Sequence, residues 1–151
     1  MYREGVFWRM VMICGSEPDH RAPSLPSLPV HEAMVAAEKQ NQCNIDKVLS
    51  WLDYGLANKL GLHCLPGEKY REAHDATIDG RVVKFYRLEV SQHRLYTFEH
   101  AGNVVVAALF AAKKTQKTSK QHCVELEAIA KAYFAAFDAQ QLVMIKETNG
   151  G

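Results

Sequence analysis

The run from Val104 to Phe110 constrains the fold more than any other feature of the sequence, because it is apolar at every position. Successive side chains of a β-strand point to opposite faces, so an uninterrupted apolar run predicts a strand that is buried on both faces. Such a strand lies in the interior of a sheet. We therefore expect Val104–Phe110 to be a central strand.

Two further strands are predicted directly before this run. From Val82 to Val90 the side chains alternate, and Arg87 and Glu89 share one face. A second strand is predicted from His93 to Glu99. Turn residues separate these strands, so we expect a three-stranded meander. The turns lie at Ser91-Gln92 and at Ala101-Gly102-Asn103.

A C-terminal helix should follow the meander and pack on the sheet. Thr118 is the predicted N-cap, and Gln121 three residues later completes a pattern that resembles a capping box. Apolar residues then recur at helical spacing. They are Leu126, Ile129, Ala130, Tyr133, Phe134 and Phe137.

The sequence of the N-terminal half predicts a strand, a connector, a helical hairpin and a loop, in this order. Proline and serine in the connector disfavour both helix and central strand. Apolar residues at three- and four-residue steps predict the second helix of the hairpin, with Asn44 as its N-cap. The predicted bounds are Val6–Cys14 for the strand, Ser16–Pro29 for the connector, Val30–Gln40 and Asn44–Leu60 for the helices, and Leu62–Gly80 for the loop.

We expect one α+β domain over residues 1–151, in which residues 1–29 form the N-terminal strand and connector and residues 138–151 the helix end and tail. No apolar stretch reaches the roughly 20 residues that a membrane-spanning helix needs, so a cytoplasmic protein without membrane contact is predicted. The four cysteines include no C-x-x-C pair, so we expect free thiols. The adjacent pairs His63-Cys64 and His122-Cys123 could join His74 or His93 in a zinc site, but neighbouring residues point in different directions, so we expect no metal site and no cofactor.

Charge is divided unevenly along the chain. Residues 81–122 carry eight of the eighteen Lys and Arg residues but two of the seventeen Asp and Glu residues. This segment therefore has a net charge of +6 and the remainder −5, although the chain as a whole is +1. Such a division indicates a polyanionic partner for the basic segment.

The order of the predicted elements, and above all the strand that leads into Lys113-Lys114-Thr115-Gln116-Lys117-Thr118, resembles the RelE superfamily of ribosome-dependent messenger-RNA interferases, in particular its phage-related HigB-like branch. The segments Phe85–Glu89 and His93–Phe98 also carry the resemblance, which covers residues 81–137. It implies a RelE-like fold, namely a small antiparallel or mixed sheet with an N-terminal helical hairpin and a C-terminal helix.

The resemblance also implies an activity. Such toxins belong to type II toxin–antitoxin systems and cut RNA without a metal, because the 2′-hydroxyl of the substrate attacks the neighbouring phosphate. Guanidinium and ammonium groups would stabilise the charge that develops in that reaction. The catalytic candidates are Arg94, Lys114, Tyr96 and Arg87, and the RNA-binding candidates are Lys84, Lys113, Lys117, Lys120, His93 and His122.

Proton transfer could involve Tyr96, His93 or His122. By strand alternation, Tyr96 shares a face with Arg94, whereas His93 points the other way. These residues also have purely structural interpretations: a solvated lysine loop, an exposed pair of Arg87 with Glu89, a core position for Tyr96, and incidental histidines.

The expected partners are messenger RNA on the ribosome and a cognate antitoxin that covers the basic face or the helical hairpin. The alternative function is that of a non-catalytic RelE-fold relative that binds nucleic acid or protein, or of a ParE-like gyrase inhibitor. The apolar N-terminal strand should be buried in the chain's own sheet, and a homodimer through this strand is the alternative.

Overall fold

The computed structural model describes residues 2–12, 30–100, 103–113 and 117–139. Within these residues the protein is α+β, with a six-stranded sheet, three α-helices and one 3-10 helix. The predicted connector Ser16–Pro29, the turn residues Ala101 and Gly102, Lys114 and the tail after Ala139 lie outside them. The elements are β1 Tyr2–Glu4, β2 Arg9–Met12, α1 Val30–Lys39, α2 Ile45–Leu56, the 3-10 helix Gly61–Cys64, β3 Tyr70–Ile78, β4 Arg81–Val90, β5 His93–His100, β6 Val104–Ala112 and α3 Lys120–Asp138.

The strands lie in the order β1-β2-β6-β5-β4-β3. The four strands from β3 to β6 form an antiparallel meander, β2 pairs with β6 in parallel, and β1 pairs with β2 in an antiparallel manner. A parallel pair needs a crossover connection, and the chain from β2 to β6 includes α1, α2 and the meander. The sheet is therefore mixed.

Strand β6 is buried on both faces, as its apolar sequence predicted. Val105 and Ala107 belong to a core with α1 and α2, whereas Val106 and Ala108 belong to a second core with α3. The sheet thus separates two layers of helix, with the helical hairpin on one face and α3 on the other.

The predicted N-cap of α2 is confirmed, because the side chain of Asn44 accepts the backbone N–H of Lys47 at 3.1 Å. The predicted end at Leu60 is wrong, since the helix ends at Leu56. The backbone N–H of Leu60 donates to the Asn58 side chain at 3.0 Å, and the Leu56 carbonyl accepts from Trp8. These contacts replace the hydrogen bonds that would extend the helix.

The predicted strand Val6–Cys14 is also wrong in its bounds. Strand β2 begins at Arg9, because the N–H groups of Phe7 and Trp8 donate to the carbonyl of Leu56 and are not available to a sheet. Residues 2–12 form a hairpin whose turn rests against the end of α2, and Ile13 and Cys14 lie outside the described residues. A Cβ at Gly5 would lie 2.4 Å from the Leu56 carbonyl oxygen, which shows how closely the two backbones approach.

The predicted loop Leu62–Gly80 contains a strand that the sequence prediction missed. Strand β3, Tyr70–Ile78, pairs with β4 through a turn in which Asp79 and Gly80 have φ of 49° and 81°. Positive φ at both central residues is typical of a type I′ turn, which joins two paired strands. A register shift between Glu72 and His74 interrupts the alternation of β3, and this bulge obscured the pattern.

The predicted N-cap of α3 is wrong by one residue. The side chain of Ser119, and not that of Thr118, accepts the backbone N–H of His122 at 3.2 Å. The hydroxyl of Thr118 instead accepts a hydrogen bond from Arg87 at 3.2 Å. A contact with the sheet thus uses the residue that the capping pattern assigned to the helix.

Candidate functional site

Strand register places charged side chains in two adjacent rows on the sheet face that α3 covers. Arg71, Arg87 and Tyr96 lie directly opposite one another on β3, β4 and β5. Glu89 lies opposite Arg94 in the next row. Paired residues in neighbouring strands point to the same face, so these side chains meet beneath the start of α3.

The carboxylate of Glu89 is the centre of this cluster. Its Oε1 lies 3.2 Å from the Nε of Arg87, 3.2 Å from the Nε of Arg94 and 3.8 Å from Nη2 of Arg71. Its Oε2 lies 4.0 Å from Nζ of Lys113. Four cations surround one carboxylate, and these five side chains, which we call the Glu89 cluster, together carry a net charge of +3.

Two of these cations are buried. Arg94 is 1% exposed and Arg87 is 6% exposed. Glu89 contacts the Nε of both, and their Nη1 atoms donate to the segment before α3: Arg87 to the Thr118 hydroxyl at 3.2 Å and Arg94 to the Lys117 carbonyl at 3.3 Å. Burial, followed by the charges of Arg94 and Arg71, lowers the pKa of Arg87. A bound anion would offset the same repulsion.

Tyr96 and His122 complete the site. Tyr96 is fully buried, and its hydroxyl has no hydrogen-bond partner among the described residues. Its ring centroid lies 5.7 Å from that of His122, in the first turn of α3. An unpaired buried hydroxyl costs about 1–3 kcal/mol, which a ligand could recover by accepting a hydrogen bond from it.

The remaining predicted residues divide between the two faces of the sheet. Lys113 belongs to the Glu89 cluster, Lys117 and Lys120 are exposed beside the start of α3, and Lys114 lies outside the described residues. Lys84 and His93 lie on the opposite face. There Lys84 pairs with Glu72 at 3.5 Å, and His93 stacks on Phe110 with ring centroids 5.0 Å apart.

Sequence reasoning missed Arg71 and the central position of Glu89. Arg71 lay in the segment that was predicted as a loop, so its position opposite Arg87 could not be inferred. Glu89 was expected at most as a sheet partner of Arg87, because alternation gives the face but not the distance to Arg94 or Lys113. The signal that could have located Arg71 is the Asp79-Gly80 turn, which requires a strand before it.

The arrangement suits recognition of a phosphate. Two guanidinium groups are held at fixed positions by acceptors just before α3, and the Tyr96 hydroxyl has no hydrogen-bond partner in the part of the chain that the structure describes. Within the described ranges, no three His, Cys, Asp or Glu side chains are close enough to hold a metal ion, and no helix is long and apolar enough to cross a membrane.

The chain was compared with models of protein families, with curated proteins and with solved structures, and none of them matches it.

Proposed function

We propose that this chain is the toxin component of a type II toxin–antitoxin system and acts as a metal-independent, ribosome-dependent messenger-RNA endoribonuclease of RelE/HigB type. The observation that carries the proposal is the Glu89 cluster, in which two buried arginines lie close to Tyr96, whose hydroxyl has no hydrogen-bond partner among the residues that the structure describes. A surplus of oriented cations stabilises an anion whose charge increases during reaction, as that of a phosphate does in RNA cleavage.

The reaction needs one nucleophile and two proton transfers. The 2′-oxygen of the substrate forms a bond to the adjacent phosphorus, and the bond from phosphorus to the 5′-oxygen breaks. One proton leaves the 2′-hydroxyl and another reaches the departing 5′-oxygen, which yields a 2′,3′-cyclic phosphate and a 5′-hydroxyl. In this mechanism Arg87 and Arg94 bind the phosphate, and the proton-transfer candidates are Tyr96, which lies opposite Arg87, and His122, whose ring lies beside that of Tyr96.

Lysines extend the site toward solvent. Lys113 borders the Glu89 cluster, and Lys117 and Lys120 are exposed beside the start of α3. Exposed lysines neutralise phosphates without reading sequence, so they suit attraction of the RNA backbone. The same charge makes an acidic antitoxin segment the partner that we propose for neutralisation.

The end groups of the RNA product test the chemistry. Purified protein is added to messenger RNA engaged by ribosomes, and the cut site is mapped by primer extension. We expect a cyclic phosphate on the upstream product and a 5′-hydroxyl on the downstream product, and no cut where the scissile nucleotide is 2′-deoxy. A 5′-phosphate, or cleavage at the deoxynucleotide, would exclude attack by the 2′-hydroxyl.

A matched pair of lysine variants assigns the activity to the site. Lys113→Ala removes a cation from the Glu89 cluster, whereas Lys131→Ala removes one from an exposed position further along α3. We expect slower cleavage for Lys113→Ala alone. Absence of cleavage by the wild type would favour the non-catalytic relative, and inhibition of gyrase supercoiling would favour the ParE-like alternative.

A further inference from the structure

A pocket of about 690 Å³ opens where β4 turns into β5. It lies between that turn, the connection from α1 to α2, and the first turns of α2, and its size is typical of a small-ligand site. The side chains that matter for binding are Lys47 and Trp51 on α2 and Lys69 just before β3.

The two lysines are not neutralised by hydrogen-bonded or ion-paired neighbours. Neither ammonium group has such a partner within the described ranges, and that of Lys69 lies 4.9 Å from the centroid of the Trp51 ring. Partial burial, and next the charge of Lys47, lowers the pKa of Lys69. The two charges therefore repel each other, which an anion between them would relieve.

Two carboxylates also line the pocket, and they limit what can bind. The Glu38 carboxylate accepts a hydrogen bond from the backbone N–H of Ile45, the first residue of α2, at 2.8 Å. Asp46 is exposed in the first turn of that helix. With two cations and two carboxylates, the pocket suits a ligand with one phosphate and a polar, uncharged aromatic part better than a polyphosphate.

This pocket adjoins the Glu89 cluster across the thickness of the sheet. Val90 and Ser91, which line the pocket, directly follow Glu89 in the chain. The backbone N–H of Glu89 donates to the carbonyl of Lys69 at 2.8 Å. The β4–β5 turn therefore connects the arginines on one face of the sheet with the pocket on the other.

We propose that this pocket is a nucleotide subsite for the RNA strand, in which Lys47 and Lys69 bind a phosphate next to the scissile one and Trp51 packs against its base. Single-stranded nucleic acid is commonly bound by this combination of basic groups and aromatic rings. The inference rests on the proposed function, because it assumes that the Glu89 cluster binds the neighbouring part of the same strand.

Tryptophan fluorescence tests the subsite with a 2′-O-methyl RNA tetranucleotide, which cannot be cleaved by 2′-hydroxyl attack. We expect the oligonucleotide to quench wild-type fluorescence and to leave Trp51→Phe nearly unchanged, since Trp8 lies elsewhere, with its Nε1 bonded to the Lys59 carbonyl. Lys47→Ala and Lys69→Ala should each weaken binding about tenfold, and each should reduce the salt slope by about 0.7. Lys131→Ala removes one positive charge outside the pocket and is therefore the control for a nonspecific effect of net charge.

The possible results distinguish failure of the subsite proposal from failure of the proposed nuclease function. Quenching that persists in Trp51→Phe, or binding that is unchanged in both lysine variants while they stay folded, would overturn the subsite even if the wild type cuts messenger RNA. Lysine-dependent quenching by a wild type that does not cut RNA would support binding of an RNA strand in this pocket and refute the nuclease, and with it the position next to a scissile phosphate. Inorganic phosphate that competes as strongly as the oligonucleotide would overturn recognition of a base.

Discussion

Replacement of Glu89 by glutamine removes the carboxylate that holds two buried arginines in place. The variant Glu89→Gln keeps the size of the side chain, but it raises the local charge of the cluster from +3 to +4. The amide also offers only one acceptor oxygen to several cationic donors. We therefore expect Glu89→Gln to be less stable than the wild type.

The contact distances set the size of the effect. At 3.2 Å each Arg–Glu89 contact is worth about 5 kcal/mol at an effective dielectric constant of about 20, before the cost of desolvation. Loss of one partner from a buried ion pair typically costs about 3–5 kcal/mol in net terms. Arg71 contributes less, because its side chain is 47% exposed and solvent screens it.

Thermal unfolding monitored by circular dichroism measures this loss. For a chain of this size, 3–5 kcal/mol corresponds to a decrease in Tm of about 6–20 °C. The matched control is Glu72→Gln, the same chemical change at an exposed pair with Lys84, which should leave Tm unchanged. Equal Tm values for Glu89→Gln and the wild type would show that Glu89 is not the counter-charge of the buried arginines.

Three further changes test the fold. Gly5→Ala should destabilise the protein by about 1–3 kcal/mol in urea unfolding, because its Cβ would lie 2.4 Å from the Leu56 carbonyl oxygen; Gly67→Ala, which meets no atom within 4 Å, should not. Ser119→Ala should cost about 1 kcal/mol and Ser119→Asp should recover it, because an Asp carboxylate can accept the His122 N–H in place of the Ser119 hydroxyl and an Ala side chain cannot. Burial lowers the pKa of His100, so its native state binds fewer protons than the unfolded state, and the free energy of unfolding should fall as pH decreases through about 6.5. Because burial also lowers the pKa of His93, His100→Phe should reduce this pH dependence without abolishing it.

Strong periodicity and the cap at Asn44 made part of the α+β fold predictable. The apolar run of β6, the alternation of β4 and the Asn44 cap all act through nearby residues, and each is confirmed. The end of α2 and the start of β2 could not be predicted in the same way. Both are set by hydrogen bonds between Leu56 and the N-terminal hairpin, which are distant in sequence.

The sequence predicted which face of the sheet the strand residues of the candidate site occupy, but not which side chains they contact. Alternation placed Arg94 and Tyr96 together and His93 on the other face, as the register confirms. Alternation does not give the distance between strands that are not yet paired, so the role of Glu89 remained hidden. Arg71 was missed because the bulge in β3 interrupts the pattern that would have predicted a strand.

The most direct test of the nuclease proposal is the rate at which an Arg94→Lys variant cuts messenger RNA on the ribosome. Lysine keeps the charge but lacks the guanidinium group, whose Nε contacts Glu89 and whose Nη1 contacts the Lys117 carbonyl. With folding verified by circular dichroism, we predict that cleavage falls about 100-fold or more, while Lys131→Ala cuts at the wild-type rate. Wild-type cleavage by Arg94→Lys, or no cleavage by the wild type itself, would contradict the proposal.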